Sequence, residues 1–209
     1  MPEPTLSSET PSLSAIRDEA QEVFAKRPCL WQLQVAEAFL RGDRYIVCIA
    51  GTGMGKTLTF WLPLLFHLNR IQIVVTPLNQ LGQQNVDSLC KAGIQSIAIN
   101  AEIATWNNFR AIENLKYQAI IVSPKQLMKS GGEFKKLLVQ LEFVSHIIGF
   151  VFDEAHCIMS WGEFRLEYKE LQWLHYIISR CVPYLIASAT FTPESLSEVK
   201  KTPNNPHLH

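Results

Sequence analysis

A chain of 209 residues with 47% hydrophobic content has the size and apolar share of one domain with a substantial buried core. Its 19 Lys and Arg balance its 19 Asp and Glu, so no overall basic field marks it for nucleic acid and any contact with a polyanion must be local. No apolar run reaches the roughly eighteen residues of a membrane span, and Met1 to Pro11 lacks the charged-then-apolar order of a secretory signal; this predicts a soluble intracellular protein with no membrane partner.

Residues 1–13, rich in Pro, Ser, Thr and Glu, read as a disordered lead-in, and residues 202–209 as a loose tail, with residues 14–201 forming the folded domain. Ser14 to Lys26 has helical character, with Ser14 a weak start signal because no Glu or Gln follows three residues on. Short apolar runs then alternate with longer helix-like segments. The runs are 45–50, 71–77, 95–100, 119–124, 147–154 and 183–190, and each reads as apolar on both faces, the mark of strands buried in a parallel sheet. Helices are predicted between them at about 56–68, 78–91, 105–115, 124–140 and 165–179. This order predicts an α/β domain with a doubly wound, mainly parallel sheet and helices on both faces, and such a sheet binds its ligand at the carboxyl ends of the strands.

Five cysteines with no C-x-x-C pair predict reduced, mostly buried thiols, with neither a disulfide framework nor zinc. Of the six histidines, His67, His146 and His175 read as partly buried or surface residues, and His207 and His209 as tail.

Ala50-Gly51-Thr52-Gly53-Met54-Gly55-Lys56-Thr57 follows the first predicted strand and opens a helix, the setting in which a glycine-rich string cradles phosphates. Thr52, Gly53, Met54 and Gly55 would turn backbone N–H groups toward the phosphates, Lys56 would neutralise their oxygens, and Thr57 would ligate Mg²⁺. The first position is Ala50 where the strict pattern has Gly. Asp153 and Glu154, directly after another buried strand, are the candidates for holding the Mg²⁺ and for activating the attacking water, with His156 beside them. ATP and Mg²⁺ are the cofactors this pattern predicts.

The loop GTGMGKT, the run Asp153-Glu154-Ala155-His156 and the triplet Ser188-Ala189-Thr190 fall in that order at strand ends and together resemble motifs I, II and III of the superfamily 2 helicases. The segment Cys157 to Tyr168, containing Trp161-Gly162 and Phe164-Arg165, resembles the aromatic-rich loop of the RecQ-type DNA helicases. Arg27-Pro28 with Trp31-Gln32 resembles that family's adenine-reading segment, with Gln32 the candidate and Gln34 the alternative. Thr76-Pro77 and Ser123-Pro124 resemble its DNA-side motifs. The likeness spans about residues 24–200. It departs at Leu166, where the family usually has proline, and in a loop one residue shorter between Gly162 and Phe164.

The resemblance implies an ATP-binding, RecA-like domain of a helicase that moves 3′ to 5′ on single-stranded or forked DNA, working in the nucleus in repair or recombination. It implies DNA contact or coupling at Thr76, Pro77, Ser123, Trp161, Phe164, Arg165, Ser188, Ala189 and Thr190. In this family a second RecA-like domain supplies an arginine to the transferring phosphate. Because the chain ends shortly after Thr190, that group is expected from elsewhere, a second domain or a second copy in trans. The other readings are an RNA helicase of the DEAD/DEAH type and a non-catalytic module that binds ATP or DNA or docks on a partner.

Overall fold

The fold is described from a computed structural model covering residues 10–77, 79–155 and 182–190 with Leu174 and Ile178, the side chains of residues 79–81 excepted. Six strands form one all-parallel sheet: β1 (Tyr45–Ile49), β2 (Ile71–Val75), β3 (Ser96–Ile99), β4 (Ala119–Val122), β5 (Ile147–Phe152) and β6 (Tyr184–Ser188). Their order is β1-β6-β5-β2-β4-β3. The four inner strands are the β-branched and aromatic runs that suit burial on both faces, and β2, β4 and β5 are buried at every position. The expectation of two apolar faces fails for β1 and β3. Both sit at the sheet edges, with one neighbouring strand each, and alternate residues stay partly open.

Helices cover both faces. On one side Phe39 from α2 (Leu30–Arg41), Phe60 and Trp61 from α3 (Lys56–Trp61) and Leu89 from α4 (Asn79–Lys91) pack on Val74, Ile121, Val151 and Leu185. On the other, Phe109 and Ile112 from α5 (Trp106–Glu113) pack on Ile73, Ile120 and Phe150. They are joined by Leu127 from α6 (Pro124–Leu127), Phe134 and Leu138 from α7 (Glu133–Leu138), and Phe143 from α8 (Leu141–Ser145). Each such side chain fully removed from water contributes roughly 1.5–3 kcal/mol. A third cluster seats α1 (Leu13–Phe24) through Ile16 and Ala20 on Leu33 and Ala36 of α2.

Local chemistry explains where elements differ from the sequence expectation. The cap of α1 is Ser12, whose hydroxyl accepts from the Ala15 amide at 3.2 Å, rather than Ser14. The helix expected over 56–68 becomes a 3-10 helix at Leu62–Phe66, because Pro63 has no N–H to extend the α pattern; Gln72 of β2 donates to the Phe60 carbonyl at 2.7 Å beside the change. The single helix expected over 124–140 is three short ones, broken where Gly131 turns at φ +65° and again at Val139 and Gln140. The helix expected over 165–179 lies outside the described residues except for Leu174 and Ile178, which are buried against the α5 side of the sheet. Of the three described cysteines only Cys48 is buried; Cys29 and Cys90 are exposed on α2 and α4, which corrects the expectation of mostly buried thiols. Among the described residues no helix is long and apolar enough to cross a membrane.

Candidate nucleotide site at the strand ends

The glycine loop runs from the end of β1 into α3. Its turn is closed by the Met54 amide donating to the Gly51 carbonyl at 3.2 Å, and Gly53 and Gly55 both take φ +82°, a conformation that side chains disfavour. Lys56 is buried and bends back across the loop, donating from Nζ to the Ala50 carbonyl at 2.8 Å and to Gly51 at 3.4 Å. The buried ammonium hydrogen-bonds neutral carbonyls, and an entering phosphate would add a directly bonded anionic partner.

Strand order brings the acids to this ammonium. β6 lies between β1 and β5, so Ser188-Ala189-Thr190 separates the loop from Asp153, and the Ala50 amide donates to the Ser188 carbonyl at 3.1 Å. The Ser188 hydroxyl turns the chain sharply after β6, donating to the Thr190 carbonyl at 2.7 Å and accepting from the Thr190 amide at 3.2 Å. Asp153 is buried, and burial together with the Glu154 charge pushes its pKa up to about 6, against the pull of the Glu154 amide and of Lys56. Beneath them, burial raises the Cys48 thiol. Glu154 has φ +50°, left-handed and strained for this residue; its amide donates to Oδ1 of Asp153 at 2.9 Å, which helps to hold the turn.

Gln32 approaches the loop from α2. Its Nε2 donates to the Gly55 carbonyl at 2.9 Å, while Oε1 accepts from the Cys29 amide at 2.9 Å and from the Cys29 thiol at 3.2 Å. Gln34, the alternative, is exposed.

For a metal, no group of three or more His, Cys, Asp or Glu is gathered among the described residues. The hard oxygen donors beside the loop are the Asp153 carboxylate and the Thr57 hydroxyl, a set that fits a divalent cation shared with phosphate oxygens rather than an all-protein cage.

Residues 30–199 match the DEAD/DEAH box helicase family. The chain belongs to that family. It is 36% identical over 164 residues to a putative ATP-dependent DNA helicase Q1 of Caenorhabditis elegans, covering 74% of this chain and 25% of that protein. It is 30% identical over 158 residues to the ATP-dependent DNA helicase RecQ of Bacillus subtilis, covering 74% and 26%. A putative ATP-dependent RNA helicase R290 of Acanthamoeba polyphaga mimivirus is 32% identical over 163 residues, covering 77% and 28%. The chain thus spans about a quarter of the length of these relatives. In fold it is similar to the Mycobacterium smegmatis helicase Lhr bound to single-stranded DNA and AMP-PNP, with a TM-score of 0.64 at 19% identity over 88% of this chain and 25% of that one. It is equally similar to a DEAD box protein of Methanococcus jannaschii, with a TM-score of 0.64 at 21% identity over 88% and 50%.

In this helicase domain the other strand ends form a second polar group. Thr76 after β2, Ser123 after β4 and Asn100 after β3 line a small cavity with Gly82 and Gln83 of α4. The Thr76 hydroxyl is buried with no hydrogen-bond partner, although its amide is paired with the Val122 carbonyl at 3.0 Å. Ser123 caps α6 by accepting from the Gln126 amide at 3.3 Å, and Pro77 is half-buried beside Thr76. Asn100 and Cys29 were not singled out in the sequence. The first ends a predicted strand just as Thr76 and Ser123 do, and that position was the available signal; the second carried none. His156, Trp161, Phe164 and Arg165 lie outside the described residues.

Proposed function

We propose that this chain is the ATP-binding domain of a RecQ-type helicase that couples ATP hydrolysis to movement 3′ to 5′ along single-stranded DNA and to unwinding of the duplex. The observation that supports it is the electrostatic pairing of Lys56 and Asp153 across the β1-β6-β5 strand ends, with the Asp153 amide bonded to Val75, the residue before Thr76. Lys56 would exchange its carbonyl partners for phosphate oxygens, Gln32 would meet the adenine base, and Thr57 and Asp153 would hold Mg²⁺. A divalent cation held there would supply the positive charge that offsets charge developing on the phosphates. Glu154 orients the attacking water and accepts its proton, with His156 beside it.

Thr76, Pro77 and Ser123 contact the DNA backbone, Trp161, Phe164 and Arg165 stack on or pair with the strand, and Ser188, Ala189 and Thr190 relay between the two sites. Leu30, Ile49 and Met54, large exposed apolar side chains on the segments that form the loop's rim, offer a surface for a second RecA-like unit bringing an arginine.

The mimivirus relative, named as an RNA helicase, favours a second reading with RNA as the track. ATP hydrolysis by this chain, measured with single-stranded DNA and with RNA of the same sequence, tests both. Stimulation by DNA supports the first reading, stimulation by RNA alone the second, and hydrolysis unchanged by either track contradicts both.

A further inference from the structure

A side-chain amide reads adenine with its oxygen on the 6-amino group and its NH2 on N7. Guanine presents the same N7 but an oxygen at position 6, so discrimination between the two purines rests on the amide oxygen. In Gln32 that oxygen, Oε1, already accepts two hydrogen bonds, from the amide of Cys29 at 2.9 Å and from its thiol at 3.2 Å. A carbonyl oxygen has two lone pairs, so both are engaged.

The orientation of the amide is fixed by its partners. The Cys29 N–H requires an oxygen opposite it and the Gly55 carbonyl requires the NH2. The space is tight as well, since a Cβ placed on Gly55 would stand 2.8 Å from Nε2. The backbone bond from Cys29 would be supplied by any residue except proline, and it belongs to the start of α2. The thiol bond depends on the side chain at position 29.

We propose that Cys29 is a specificity-determining positioning residue, whose thiol competes with the 6-amino group of a bound adenine for Oε1 of Gln32 and so tunes the purine preference of the site. The inference rests on the reading of Gln32 as the base contact. A thiol is a weak donor, so it weakens adenine selection without abolishing it. Removing the donor frees a lone pair for adenine, and replacing it with a hydroxyl fills that lone pair more firmly. Preference for ATP over GTP therefore follows the order Ala, Cys, Ser at position 29. Cys29 is exposed, so neither substitution opens a cavity.

The test is displacement of a fluorescent nucleotide by ATP and by GTP from the full chain, for the parent, Cys29→Ala, Cys29→Ser, Gln32→Ala and the Cys29→Ala/Gln32→Ala pair. The ATP:GTP affinity ratio is expected to rise about threefold in Cys29→Ala, the scale of one weak hydrogen bond, and to fall below the parent in Cys29→Ser. The rise is expected to vanish when Gln32 is replaced. A ratio flat across position 29 overturns the role of Cys29 while leaving nucleotide binding intact, as does the same shift without Gln32. Failure of the parent chain to bind either nucleotide overturns the proposed function and this inference with it.

Discussion

The amide of Asp153 donates to the carbonyl of Val75 at 2.9 Å, and Val75 is followed at once by Thr76. The last backbone bond between β5 and β2 therefore joins the acid beside the glycine loop to the residue immediately before the second polar group. If nucleotide binding moves Asp153, one peptide unit lies between that bond and Thr76.

Thr76 carries a buried hydroxyl with no partner, and an unsatisfied buried polar group costs about 1–3 kcal/mol. Thr76→Val keeps the shape and removes that cost. Its thermal midpoint is expected to match or exceed the parent, while its affinity for single-stranded nucleic acid, read by fluorescence anisotropy, falls. A large loss of stability would show that the hydroxyl serves the fold.

Glu154→Gln keeps the volume and the left-handed turn but cannot accept a proton. Nucleotide binding is expected to stay at the parent level and phosphate release to drop roughly a hundredfold or more, the usual contribution of a general base. Turnover equal to the parent would remove Glu154 from the water-activating role.

Asp153 makes stability depend on pH. Between its ordinary value of 3.8 and about 6 the folded chain holds a proton that the unfolded chain has released. Its contribution to stability is full below the lower value, falls as pH rises through this window, and is lost above it, by roughly 3 kcal/mol at most. Asp153→Asn is expected to flatten this slope in denaturant titrations from pH 4 to 8 and to raise stability at pH 8, while removing the metal-dependent part of nucleotide binding. An unchanged slope would contradict the burial argument.

Gly149 of β5 lets the Phe39 ring of α2 lie directly on the strand; a Cβ there would fall on that ring and 2.8 Å from the Pro183 carbonyl. Gly149→Ala is expected to lower stability by about 1–3 kcal/mol in denaturant titration. Since α2 also carries Gln32, nucleotide affinity should fall with it; a neutral substitution would show that α2 sits more loosely than this packing implies.

All six strands were legible because long β-branched runs such as Ile71–Val75 have no other stable home than a covered sheet. The glycine loop and the acids of Asp153 and Glu154 were legible because their chemistry is local to a strand end. Helix α2 was not read as a helix, although Leu33, Ala36 and Phe39 repeat at helical spacing and Gly42 closes it with φ +88°. The half-open faces of β1 and β3 were hidden because edge position depends on strand order, which no local pattern carries. The bonds from Cys29 to Gln32 and from Gln32 to Gly55 were hidden for a related reason, since the second joins residues 23 apart.

Nucleotide binding by the parent and by Lys56→Ala tests the central claim most directly, by titration of a fluorescent ATP analogue with Mg²⁺ present. If Lys56 turns from the Ala50 carbonyl to the phosphates, the parent binds and the variant binds at least about tenfold more weakly, the loss of a buried charge-assisted contact. Equal affinity in the two chains would contradict the assignment of the loop at Ala50 to Thr57 as the phosphate cradle.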